Sequence, residues 1–318
     1  MKILIIRFSS IGDIVLTTPI VRSLRKAYPE AELHYLTKAQ YAPLLSENPH
    51  IDHLHCLKDD LRENIRALKR VGITHIVDLH NNLRSWRVGL ALGVSWRRFP
   101  KLNKQKFLLT QFKINHLPDV HIVERYARAM PKGTTLDDGG LEFYYSEDAQ
   151  ARADEWLTQL PDNSAPLGIV LGGKFATKQW PTAYHRKLVS MLETPVILFG
   201  GPGEVADAQY ILQNQNRQNV LNTVGEVDLQ TAAALLKQCR YGITHDTGLM
   251  HISAALQVPT YVIWGNTIPQ FGMYPYRAPH LNLEVEGLKC RPCSKLGHAT
   301  CPKEHFRCMR EQTPERVL

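Results

Sequence analysis

No run in this chain approaches the ~20 consecutive apolar residues that a membrane-spanning helix needs, so an integral membrane protein is not expected. A secretory leader is not expected either. The apolar Ile3-Leu4-Ile5-Ile6 is cut short by charged Arg7, well under the length of a signal h-region. That run reads instead as a buried first strand, and the cytoplasm is the expected location. There is no short internal repeat and no low-complexity segment. Cysteine is scarce, with 6 in 318 residues, and Cys56 and Cys239 stand alone as core cysteines. From Arg84 to Lys113 there is no acidic residue, against 8 basic ones (Arg84, Arg87, Arg97, Arg98, Lys101, Lys104, Lys106 and Lys113).

What the chain does have is enough apolar material for two cores. Hydrophobic residues make up 44% and charged residues 21%, ordinary usage for a globular protein. At roughly 150 residues per domain, the length predicts two domains. A formal net charge of +8 favours anionic partners: nucleic acid, phosphorylated substrates or an anionic membrane face. Against nucleic acid, aromatic residues are not interleaved with the basic run as a stacking platform requires.

Strands are predicted at residues 3–7, 31–36 and 74–79, with a helix beginning near Ile11-Gly12-Asp13 and another over 60–71. Pro19 falls inside the first helical pattern and either kinks it or closes a first turn. The alternation then restarts. After a linker-like Pro161-Asp162-Asn163-Ser164-Ala165-Pro166, strands are predicted at 167–171, 195–199, 241–244 and 260–264, with helices at 184–192, 229–238 and 248–256. Two βα arrays of this kind imply parallel sheets covered by helices. Ligands in such sheets bind beyond the carboxyl ends of the strands, and four segments lie at such positions.

The first is Arg7-Phe8-Ser9-Ser10-Ile11-Gly12-Asp13. Gly12 permits close backbone approach, the serines offer hydroxyls, and Asp13 falls in the first helical turn, where the macrodipole favours its ionised form. It is either a helix cap or a general base. The second, Gly172-Gly173-Lys174-Phe175-Ala176-Thr177-Lys178, is either a plain βα turn or a site where Lys174 and Lys178 meet phosphate oxygens; it lacks the ending of a Walker loop. In the third, Gly200-Gly201-Pro202-Gly203-Glu204, the glutamate either caps a helix or contacts a ribose or base. The fourth is His245-Asp246-Thr247-Gly248-Leu249-Met250-His251. Here the amides at 247–249 open a helix and suit an anion, with His251 one turn on. A fifth group lies in the tail. Cys290, Cys293, Cys301 and Cys308 are spaced C-x2-C-x7-C-x6-C, with His298 and His305 between them. The alternatives are a structural zinc site and reduced, packed thiols.

These residues together resemble glycosyltransferase family 9, the bacterial lipopolysaccharide heptosyltransferases. The resemblance rests on Ile6-Arg7-Phe8-Ser9-Ser10-Ile11-Gly12-Asp13-Ile14-Val15 and on His245–His251. It extends to Asp78-Leu79-His80-Asn81-Asn82-Leu83-Arg84-Ser85, Lys178-Gln179-Trp180-Pro181, Trp264-Gly265-Asn266-Thr267 and the cysteine-bearing tail.

The resemblance implies an α/β protein of the GT-B fold, two Rossmann-like domains facing across a cleft. Residues 1–158 are then the acceptor-binding domain, and 159–318 the nucleotide-sugar-binding domain with the Cys-rich tail. It further implies inverting transfer of heptose from ADP-L-glycero-D-manno-heptose to a lipid-anchored, anionic inner-core saccharide, with peripheral contact at the cytoplasmic face of the inner membrane. Asp13 matches the family's base; Ser9, Ser10, Gly12 and Arg84 fall on the acceptor side. Lys174, Thr177, Lys178, Glu204, Asp246, Thr247, Gly248, Leu249 and His251 fall on the donor side. No Asp-x-Asp pair stands out as a nucleotide–metal clamp, so no cofactor is required on this reading. Two alternatives stay open: a relative that uses another nucleotide sugar or surface-polysaccharide acceptor, and a GT-B-like nucleotide-sugar epimerase, which would turn over donor alone.

Overall fold

Ile3, Leu4, Ile5 and Ile6 are each fully buried. A parallel strand covered on both faces needs apolar side chains at every position, not every second one. In the computed structural model, which describes residues 1–161, 164–215 and 218–318, this strand is the centre of the first of two sheets. The first sheet comprises β1 (Lys2–Ile6), β2 (Glu32–Lys38), β3 (His53–Leu57), β4 (His75–Asp78) and β5 (Ser95–Arg98). They are parallel in the order β3-β2-β1-β4-β5. The second comprises β6 (Leu167–Val170), β7 (Val196–Phe199), β8 (Val220–Asn222), β9 (Tyr241–His245), β10 (Thr260–Ile263) and β11 (His280–Leu283), in the order β11-β10-β9-β6-β7-β8. Counted from β6, that is 6-5-4-1-2-3, the strand order of a complete Rossmann sheet. In both sheets the order reverses beside the first strand, between β1 and β4 and between β6 and β9.

The helices are α1 (Ile11–Val15), α2 (Thr18–Ala27), α3 (Leu61–Val71), α4 (Leu83–Leu92), α5 (Asn103–Phe112), α6 (Ile122–Ala127) and α7 (Glu147–Leu157). They continue with α8 (Thr182–Met191), α9 (Val205–Leu212), α10 (Leu229–Lys237), α11 (Gly248–Ala255), α12 (Arg307–Arg310) and α13 (Pro314–Val317). Local chemistry sets their ends. Asp60 caps α3 by accepting from the Arg62 amide at 2.9 Å, and Gly72 ends it at φ 77°, where a side chain is strained. Asn82 and Ser85 exchange bonds across the start of α4. Pro19 resolves the first helical pattern into two helices. It sits in the first turn of α2, where its missing N–H costs nothing.

The chain divides into two compact units. Met1–Lys101 with Val120–Tyr144 form the first, and Leu102–Asp119 with Tyr145–Leu318 the second. This differs from the expected boundary at 158/159. Helix α7 belongs with the second unit, where it packs on α10: Arg152 donates to Thr231 Oγ1 at 3.0 Å and meets Asp228 at 3.0 Å. Helix α5 also joins the second unit. Lys113 beyond its end donates to the carbonyls of Cys290 and Pro292 at 3.2 and 2.7 Å. Asp162 and Asn163 of the linker-like cluster lie outside the described residues. Among the described residues no helix is long and apolar enough to cross a membrane.

Candidate functional site

In the first unit the turn after β1 is organised by Arg7. This guanidinium is buried at the strand's carboxyl end, where a lone charge would be prohibitively costly. It therefore bonds in three directions: to the Ser9 carbonyl at 2.7 Å, the Leu79 carbonyl at 2.6 Å and Asp13 Oδ1 at 2.6 Å. Burial pulls the Arg7 pKa down, but Asp13 beside it, with Tyr126 and Tyr35, outweighs burial and leaves it above the ordinary value. Asp13 Oδ2 accepts from the Ser10 hydroxyl at 2.7 Å and the Ser10 amide at 3.3 Å. Asp13 thus does cap its own helix, yet its side chain keeps 23% exposure against 10% for Arg7. His80, on the loop after β4, packs against Phe8 with the rings tilted by 55° and their centroids 4.7 Å apart. Burial, then the nearby Arg7 and Lys101 charges, push its pKa down to about 3, so its ring is neutral at pH 7. Asp78, fully buried at the end of β4, is structural. It accepts from the His80 and Asn81 amides and from the Ser85 hydroxyl, fixing the loop that carries Arg84.

In the second unit the loops after β6 and β9 meet. Lys178 Nζ reaches Asp246 Oδ2 at 2.5 Å and the Asp246 carbonyl at 3.4 Å. The same Asp246 oxygen accepts from the Thr267 hydroxyl at 2.8 Å. Thr247 is the N-cap of α11, and Asp246, Thr247, Gly248 and Leu249 remain partly exposed there. Glu204 Oε2 accepts from the Gly201 amide at 2.8 Å, so it caps its turn. It also lies over Gly172, where an added Cβ would come within 2.7 Å of the Glu204 carboxyl carbon. His245 is fully buried and accepts from the Trp180 amide at 3.1 Å. Burial pushes its pKa down to about 4, which keeps it neutral and structural.

Not every expected residue joins these clusters. Lys174 is exposed, with its ammonium 5.7 Å from the Phe175 ring centre and no contact to the Lys178–Asp246 pair among the described residues. Thr177 is buried, and its hydroxyl exchanges bonds with the backbone of His298 at 2.8 and 3.2 Å. It pins the tail, with Gly265 beside it: a Cβ there would lie 2.5 Å from the Thr177 carbonyl. His251 is buried within α11 rather than facing an open site. Arg84 is exposed on the first turn of α4. Of the tail cysteines, Cys290, Cys293 and Cys301 are partly buried and Cys308 is buried, and Cys290 Sγ lies 3.8 Å from His305 Nε2. Among the described residues no three of their sulfurs and neighbouring imidazole nitrogens come within 4.8 Å of one another. Cys308 is instead packed into the second unit's core, and burial pushes its thiol up to about 12.

The basic run also differs from its expected form. It divides between the two units, and Lys113 is spent on backbone carbonyls. Aromatic residues do interleave with it: Arg98 lies 4.4 Å from the Trp86 ring centre and 4.7 Å from that of Trp96. Those ring faces are therefore occupied by a guanidinium. Arg7 and Thr267 stand inside motifs of the sequence, but the sequence assigns neither a role. An arginine ending an apolar strand was the available signal, since a buried cation requires a partner. Asn266 is a further omission: it is buried, and both of its amide atoms lack a hydrogen-bond partner among the described residues.

Two Rossmann-like units, each with charged groups on the loops that follow its central strands, place this chain among glycosyltransferases of the GT-B fold. Its sequence matches the model of glycosyltransferase family 9 (heptosyltransferase) over residues 61–304. The chain belongs to that family. It is 27% identical over 298 residues to lipooligosaccharide heptosyltransferase 2 of Haemophilus ducreyi, covering 85% of each chain. Its fold is similar to that of a family 9 glycosyl transferase from Veillonella parvula, with TM-score 0.81, 22% identity, and coverage of 99% of this chain and 94% of that one. It is also similar to the E. coli ADP-heptose lps heptosyltransferase II, with TM-score 0.76, 24% identity, and coverage of 100% and 96%.

Proposed function

We propose that this chain transfers heptose, with inversion, from ADP-L-glycero-D-manno-heptose to the inner core of lipopolysaccharide. The observation that carries the reading is Asp13. It is a carboxylate held by a buried arginine and a serine hydroxyl at the carboxyl end of the first strand, yet still partly exposed. A base must be ionised, and an ion pair ensures that at neutral pH. Asp13 takes the proton of the acceptor hydroxyl as that oxygen attacks the anomeric carbon. The bond to the diphosphate breaks in the same step, and ADP leaves with its electron pair. Lys178 and the amides at the start of α11 offset the charge that grows on the leaving diphosphate. Asp246, fixed by Thr267, orients Lys178. Glu204 is placed to contact the nucleoside. The first unit accordingly holds the acceptor and the second the donor. The Haemophilus ducreyi and E. coli proteins, both named heptosyltransferases, support the sugar and the acceptor class.

Contact with the cytoplasmic face of the inner membrane fits α4. Leu83, Trp86 and Leu90 are exposed along it beside Arg84 and Arg87, an arrangement suited to an anionic lipid surface.

The test is product analysis with ADP-heptose and a heptose-deficient lipopolysaccharide acceptor, run with and without acceptor. ADP release that depends on acceptor, with a heptosylated product of inverted anomeric configuration, is the expected result. Turnover of donor alone would point to an epimerase, and thermal-shift preference for UDP- or GDP-sugars would overturn the donor.

A further inference from the structure

A second cluster of chemically capable side chains lies at the other end of the first sheet. Residues two apart on a strand share a face. Glu32 and His34 therefore project together from β2, and His53 and His55 from β3. The register sets His34 directly opposite His53 and Leu36 opposite His55. Glu32 opens β2 and pairs with Lys2 at the start of β1. The cluster thus sits at the amino edge of the sheet, whereas Asp13 follows the carboxyl end of β1.

One donor atom from each of Glu32, His34 and His53 lies within 4.8 Å of the other two. Glu32 Oε2 is 3.5 Å from His34 Nε2 and 3.8 Å from His53 Nε2. These gaps are too long for good hydrogen bonds. They approach the roughly 3.3–3.5 Å between neighbouring ligand atoms that follows from tetrahedral geometry at about 2.0–2.1 Å from zinc. His34 is only 2% exposed, and its Nε2 has no hydrogen-bond partner among the described residues. Such a group is costly unless something satisfies it. Its other nitrogen, Nδ1, lies 3.0 Å from His55 Nε2. With the proton on Nδ1 donated to His55, the Nε2 lone pair is left facing Glu32. This is how an outer partner fixes the tautomer of a metal-ligating histidine. The His34 and His53 rings are stacked, with centroids 4.6 Å apart.

The other charged groups around the cluster are compatible with a cation. Lys2 Nζ is 2.9 Å from Glu32 Oε2 with its side chain 35% exposed, so a cation bound there would take the place of this ammonium. Asp52, beside His53, is held by Arg25 and by the Leu33 amide.

We propose that Glu32, His34 and His53 form a divalent transition-metal site, best matched to Zn2+, that clamps edge strand β3 to β2. Two imidazoles and one carboxylate leave a fourth position for water. The experiment is isothermal titration of the reduced, full-length chain with Zn2+, beside His53→Ala and Glu32→Gln. Both substituted side chains are largely exposed, 53% and 44%, so the variants should fold, which circular dichroism verifies. Any zinc taken by the tail cysteines is common to all three proteins. The expected result is one more equivalent of Zn2+ bound by the parent chain than by either variant. In addition, the difference spectrum of the Co2+-loaded parent minus His53→Ala should show d–d bands without a thiolate charge-transfer band. Identical stoichiometry in the three proteins, or a difference spectrum with thiolate character, would overturn the assignment.

Discussion

Each unit carries one ion pair on the loops after its central strands, and the two pairs turn opposite charges outward. In the first, Arg7 is the more buried partner at 10% exposure and Asp13 the more open at 23%. In the second, Asp246 is the more buried at 11% and Lys178 the more open at 16%. Each member is held by further bonds: Arg7 by two backbone carbonyls and Asp13 by Ser10, Asp246 by Thr267 and Lys178 by the Asp246 carbonyl. The same Rossmann plan thus offers a carboxylate from one unit and an ammonium from the other. On the proposed reading the outer residues are the ones that act, Asp13 as proton acceptor and Lys178 as diphosphate partner.

The largest effect should come from Asp13→Ala. Loss of a general base typically costs about 10²–10⁴-fold in turnover, while ADP affinity measured by titration calorimetry stays near that of the parent chain. Near-normal turnover would remove Asp13 as the base and break the comparison. Arg7→Met should act on stability, because it takes the guanidinium away from Asp13 and from two backbone carbonyls. Denaturant unfolding is expected to show a loss of about 3–5 kcal/mol. Lys178→Ala should weaken donor binding by about 1.5–3 kcal/mol, the worth of a charge-assisted hydrogen bond, read as a rise in donor Kd. Were it to slow turnover with donor affinity intact, the ammonium would not be a ground-state binding group. Thr267→Val removes only the bond that fixes Asp246, and a donor Kd shift of about 0.5–1.5 kcal/mol is expected.

A third ion-paired cluster serves as a control with no effect on chemistry. Arg22 grips Asp137 through two bonds at 2.6 Å and Glu142 at 2.9 Å, and Lys26 adds a contact to Asp137 at 2.7 Å. Bonding to Arg22 holds the Asp137 pKa well below the carboxylate range. A depressed folded-state pKa contributes stability above the unfolded value of about 3.9, and that stability is lost as pH falls below it. Asp137→Asn should therefore flatten the acid side of the stability curve and leave turnover and donor Kd unchanged. A change in either would mean that this cluster also shapes the site.

The central strands were legible because burial on both faces demands an unbroken apolar run, as at Ile3–Ile6 and Val196–Phe199. The edge strands were not. β3 reads His-Leu-His-Cys-Leu and β5 reads Ser-Trp-Arg-Arg, and both remain partly exposed. Their pattern is set by one neighbour and solvent. Asp13, Lys178 and Asp246 stood out as candidates because each lies between a strand and a helix. Their partners did not, since Arg7 and Thr267 acquire meaning only when a loop from elsewhere reaches them. Thr177 shows the converse. Its place beside Lys178 suggested a shared site, but the His298 backbone, 121 residues on, takes its hydroxyl.

By itself the sequence determined the two alternating βα arrays, the family, and the loops on which charged side chains would stand. These follow from local periodicity and from residues close together in the chain. Tertiary structure alone decided which member of each ion pair faces outward, and that α5 and α7 join the second unit. It also decided that Glu32, His34 and His53 meet. The physical reason is common to all three: they depend on strand register, loop packing and burial, which bring together groups that the chain keeps far apart.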